Sequence, residues 1–136
     1  MKPLPGTYMG SVFIHGSKKA FLITINVQVD ERGPLTGWFV VEGEGWSGPR
    51  KGEFNEGGWS PYGTLHLEEE QDAINLGEAF FDGFYAGTDQ SSAAIWGRIF
   101  VTRERAGKKA VTQTGTLQVA YVVVEKFVNG EGPWGN

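Results

Sequence analysis

A chain of 136 residues is sized for one domain with its own core. It has no cysteine, which excludes disulfides, thiol catalysis and cysteine-ligated metals. A net charge of −4 argues against a nucleic-acid partner, and the basic pairs Lys18-Lys19 and Lys108-Lys109 fall in predicted turns.

The opening Met1-Lys2-Pro3-Leu4-Pro5-Gly6 breaks any apolar leader with two prolines and a glycine. No run approaches the ~20 apolar residues of a spanning helix. A cytoplasmic protein with no membrane association is the expectation. The first predicted strand runs from Gly6 to Ile14, and Gly16-Ser17-Lys18 turns into a second from Lys19 to Val29. Asp30-Glu31-Arg32-Gly33 turns into a third, Pro34 to Val41. A Gly-rich stretch from Glu42 to Pro49 precedes a short fourth strand, Arg50 to Phe54. Asn55-Glu56-Gly57-Gly58 reads as a turn.

The fifth strand is Tyr62 to Glu68, followed by an acidic bend with at most one helical turn near Gln71-Asp72-Ala73. Leu76 to Ala86 is the sixth. Gly87-Thr88-Asp89-Gln90 turns into the seventh, Ser92 to Arg103. Ala106-Gly107-Lys108 makes the last hairpin, and the eighth strand runs from Val111 to Phe127 with a break at Gly115. Evenly spaced strands, short turns and no long crossover predict an all-β fold, an up-and-down antiparallel barrel of about eight strands. The barrel is expected over residues 1–127, with a flexible Gly/Pro-rich tail at 128–136.

Alternation along each strand sorts side chains into faces. Phe21, Ile23, Ile25 and Val27 share the lumen face of strand two, and Leu117, Val119, Tyr121 and Val123 that of strand eight. Strands six to eight are apolar on both faces. Outward-pointing Phe80, Phe84, Trp96, Phe100, Val122 and Val124 therefore call for a cover, either the C-terminal tail folded over them or a second subunit in a dimer or tetramer.

Gly6-Thr7-Tyr8, Pro34-Leu35-Thr36-Gly37 and Phe81-Asp82-Gly83-Phe84-Tyr85 resemble the avidin and streptavidin family, and other calycin-type barrels begin with a similar Gly-x-Trp/Tyr. The resemblance implies the barrel fold and raises the expectation of an oligomer. It does not imply biotin binding. Gly10, Val12, Phe39 and Val41 stand where that family has Asn, Ser, Tyr and Ser. Its strand-six and strand-seven tryptophans fall near Phe81 and Ile99, and its strand-eight Asp near Tyr121 or Val122.

Chemical motifs are sparse. His15 and His66 have no evident partners, and a metal site wants three or more convergent ligands. Glu68-Glu69-Glu70 with Asp72 lacks the spacing of a calcium loop. Glu78 and Asp82 lie about 13–14 Å apart along one strand, too far for a glycosidase pair. No metal or cofactor is expected. Mid-strand Gly10, Gly37, Gly83 and Gly97 mark either barrel curvature or a lumen cavity. Its expected lining is Tyr8, Gly10, Phe39, Phe81, Gly83, Tyr85, Gly97, Ile99 and Tyr121, joined by Phe21, Leu65 and Val119.

Three functions fit. The first is binding of a small, mainly hydrophobic molecule in the lumen. The second is a cofactor-free cyclase or isomerase in the same cavity, with Tyr8, Tyr85 or Tyr121 polarising a carbonyl. The third is a carbohydrate-binding or protein-interaction module using the loop aromatics Trp46, Trp59 and Tyr62.

Overall fold

The computed structural model describes residues 2–30, 34–69 and 78–123. Eight strands follow in chain order: β1 (Gly6–Ile14), β2 (Phe21–Gln28), β3 (Thr36–Glu42), β4 (Arg50–Trp59), β5 (Thr64–Glu69), β6 (Glu78–Ala86), β7 (Ala94–Arg105) and β8 (Lys108–Tyr121). Each pairs antiparallel with the next, and β1 pairs with β8 to close the barrel. This is the up-and-down architecture expected from the short hairpins, and it is consistent with a calycin-like fold. No helix occurs among the described residues. The expected helical turn at Gln71–Ala73, the tail at 128–136 and Val124 lie outside them.

The alternating strands place their apolar faces as elementary stereochemistry requires. Ile23, Ile25 and Val27 of β2 are buried, as are Phe81 and Tyr85 of β6 and Leu117 and Val119 of β8. The core contains no buried polar or charged residue among those described. Val123 departs from its expected inward place. It lies past the end of β8 and is exposed.

Several strand ends differ from expectation, β5 starting at Thr64 rather than Tyr62 and β8 ending at Tyr121 rather than Phe127 among them, and two of the differences move a turn. β4 does not stop at Phe54 but runs to Trp59, with a bulge between Phe54 and Glu56 that absorbs one residue. The reversal comes at Ser60-Pro61-Tyr62-Gly63, where the Ser60 hydroxyl accepts hydrogen bonds from the Tyr62 and Thr64 amides. Serine followed by proline is the stronger turn chemistry, and the glycines at 57 and 58 are bulge-tolerant strand. At the other end, β7 and β8 are joined by two residues only, Ala106 and Gly107, both with positive φ (51° and 79°). That is a mirror-image hairpin turn. It starts β8 at Lys108, three residues before the expected Val111. The expected break at Gly115 is a second bulge, where Ile99 faces Gly115 but Phe100 faces Gln113.

The two barrel ends are closed differently. At the end holding the start of β1, the Tyr8 hydroxyl donates to the Leu4 carbonyl (2.5 Å) and the Tyr121 hydroxyl to the Pro5 carbonyl (3.2 Å). The Tyr85 hydroxyl donates to the Ser60 carbonyl (2.6 Å). Pro3 and Leu35 are buried beneath this strapping. At the opposite end, Trp46 stacks on Phe21 with centroids 5.1 Å apart, and the Arg50 guanidinium lies 4.9 Å over the same indole.

Candidate functional site

Inside the barrel lies a space of about 90 Å³, lined by Phe39, Phe81, Ile99 and aliphatic neighbours. The mid-strand glycines do not enlarge it. Gly83 and Gly97 face each other across β6 and β7. A Cβ on Gly83 would press on the Trp96 carbonyl and lie 2.5 Å from Phe81 Cζ. One on Gly97 would press on the Asp82 carbonyl and lie 2.9 Å from the same ring atom. Backbone approach and the Phe81 ring occupy the volume these residues leave. Gly10 likewise lies against the Gln118 carbonyl of β8.

The phenols expected as polar handles in the lumen are the straps at the closed end. Burial, with the neighbouring Tyr121, pushes the Tyr8 pKa up to about 12, and burial raises that of Tyr85. A phenol donating to a main-chain carbonyl, with a raised pKa, is a poor proton donor to a substrate. The expected lumen set is thus divided. Phe39, Phe81 and Ile99 line the small space, Gly10, Gly83 and Gly97 mark close backbone contacts, and Tyr8, Tyr85 and Tyr121 fasten one end.

The rim aromatics do not assemble into one site. Trp46 packs into the mouth opposite the end that carries Trp59 and Tyr62. Tyr62 is 93% exposed, whereas Trp59 is half-buried and packs against the core.

A larger concavity lies outside. A depression of about 1140 Å³ crosses the outer faces of β5 to β8 and reaches β1 and the end of β4. The registers order the outward residues of β6 and β7 into three rows, all but Phe80 lining the depression. Phe84 lies opposite Trp96, then Asp82 opposite Arg98, then Phe80 opposite Phe100. The Phe80 and Phe100 rings stack at 5.1 Å and 14°, and Phe84 and Trp96 lie 6.0 Å apart. Phe84 is 51% exposed and Trp96 42%. Of the residues expected here from sequence, Phe80 and Phe100 are half-buried, and Val122 is half-buried just beyond β8. Phe13 of β1 also lines the depression and is exposed.

The middle row carries the charge. His66, opposite Asp82 across β5 and β6, bonds the Asp82 carboxylate through Nδ1 and Glu68 through Nε2 (3.0 Å). Burial pulls the His66 pKa down, but the hydrogen bonds and negative charges of Asp82 and Glu68 outweigh it and hold it above the ordinary histidine value. The expectation that His66 lacks partners is corrected here. Shared outward parity of His66 and Asp82 was the available signal, but pairing them required the β5–β6 register. An imidazole with both nitrogens on carboxylates has no lone pair free for a metal or a proton in transit. Arg98, directly across from Asp82, forms no side-chain hydrogen bond or ion pair among the described residues.

The outer surface elsewhere is different. On β1 and β2 the Asn26 amide donates to the Thr7 hydroxyl (3.1 Å) and Gln28 donates to Asn26 (2.6 Å), while Met9, Leu22 and, on β3, Trp38 are exposed apolar side chains without such a charged row. Compared with known proteins, the chain matches no family model and no curated protein.

Proposed function

We propose that the protein is a binding module whose working surface is the outer face of β5 to β8 rather than the lumen. The observation that carries this is an exposed aromatic row, Phe84 and Trp96, and a half-buried one, Phe80 and Phe100, flanking a charged row at a depression of about 1140 Å³. Small-molecule sites generally need roughly 300–1,000 Å³, and clustered surface aromatics mark interaction sites. The lumen offers about 90 Å³. Engagement of the three phenols with main-chain carbonyls favours binding over catalysis.

Native mass spectrometry of protein purified from cells tests this. The expected result is an added mass, a molecule or another chain, that Trp96→Glu removes and Phe39→Leu retains. An added mass that survives Trp96→Glu but is lost with Phe39→Leu returns the function to the lumen. A bare monomer overturns the proposal.

A further inference from the structure

We infer that the occupant of this outer face is a second copy of the same chain, docked about a two-fold axis running parallel to the strands between β6 and β7. The inference rests on the outer face being the working surface and adds the partner and its geometry.

The register supplies the reason. A two-fold axis of that orientation, lying between two facing sheets, exchanges the positions of β6 and β7. Each outward residue then meets the partner's copy of its own cross-strand neighbour. Phe84 meets Trp96 and Phe80 meets Phe100, so apolar rows lie on apolar rows. Asp82 meets Arg98, and this happens twice by symmetry. A two-fold axis across the strands through the middle row would instead set Asp82 on Asp82 and Arg98 on Arg98. The face is self-complementary in one orientation and self-repelling in the other.

The charges fit that orientation. Among the described residues Arg98 pairs with no anion. Asp82 is held in place by His66, with oxygen lone pairs left to accept a guanidinium. Exposed Phe84 and Trp96 provide the aromatic area that interfaces favour, and the depression receives the partner's rings.

The test is a charge exchange read by sedimentation equilibrium. Arg98→Asp alone sets two carboxylates together at both contacts, and Asp82→Arg alone sets two guanidinium groups together. Each variant is expected to weaken wild-type dimerisation by roughly a hundred-fold or more, since like charges juxtaposed at an interface are strongly repelled. Mixed in equal amounts, the two variants present Asp on Arg at both contacts, and a heterodimer should form. Circular dichroism establishes that each remains a barrel. If one does not, Trp96→Glu alone must dissociate the wild-type dimer. Single variants that dimerise like wild type, or a mixture of folded variants that stays monomeric, overturn the geometry. A wild-type monomer carrying a small molecule removable by Trp96→Glu overturns the second copy and leaves the outer-face reading standing. A bare wild-type monomer overturns both.

Discussion

Asp82 has His66 directly across from it on β5 and Arg98 directly across on β7, and it bonds the histidine. The two carboxylates, Asp82 and Glu68, thereby favour the charged form of the histidine and raise its pKa above the ordinary value.

This gives stability a definite slope with pH. The folded pKa of His66 is raised, so its contribution is complete below the unfolded value of about 6.5 and is lost as pH rises through the folded value. The urea midpoint should therefore be higher at about pH 5.5 than its His66→Gln counterpart, with the gap narrowing by about pH 9. Imidazole proton shifts followed by NMR should place the His66 transition above the ordinary histidine value of about 6.5. A gap that does not change with pH would show that the two carboxylates leave the histidine indifferent to its charge.

Gly83→Ala and Gly97→Ala should each destabilise the barrel by about 1–3 kcal/mol, because the added carbon meets backbone and the Phe81 ring. Chemical denaturation measures this directly. A neutral effect at both positions would mean that the ring moves aside freely and that the lumen is larger than its packed state.

Tyr8→Phe should cost about 1 kcal/mol, the net worth of one buried hydrogen bond, with no change in the denaturant slope. Tyr121→Phe, whose bond to Pro5 is longer and more exposed, should cost less. Equal losses would mean that the straps share load differently from their burial.

Ala106→Asn should stabilise the β7–β8 hairpin by about 0.5–1 kcal/mol. Alanine there holds φ at 51°, in the left-handed region, and Asn-Gly is the favoured pair for this turn. A lower melting temperature in the variant would contradict the assignment of turn type.

Much of the fold can be read from period and turn chemistry. β1 runs from Gly6 to Ile14 as the sequence implies, and Phe21, Ile23, Ile25 and Val27 share one face because alternation leaves no other choice. The β4 end was less legible. Gly57-Gly58 mimics a turn, and only the competing Ser60-Pro61 chemistry and the bulge at Asn55 show where the chain reverses.

The site was legible by halves. Outward Phe80, Phe84, Trp96 and Phe100 follow from parity alone. That they form rows with His66, Asp82 and Arg98 depends on register between strands, which no single strand encodes. The mid-strand glycines misled for a related reason. A missing side chain leaves space only if nothing else fills it, and Phe81, two residues from Gly83, folds its ring into that space.

Closure of β1 onto β8 has a further bearing. With every strand hydrogen-bonded on both sides, the barrel offers no free edge to recruit another backbone. Any companion must be met by side chains. Since successive residues along a strand answer to opposite sides of one wall, the outside of β6 can be rewritten at 80, 82 and 84 while 81, 83 and 85 stay as they are. Partner choice and folding thus occupy alternate letters of the same word, and a lineage of such barrels is free to change its associations without renegotiating its core.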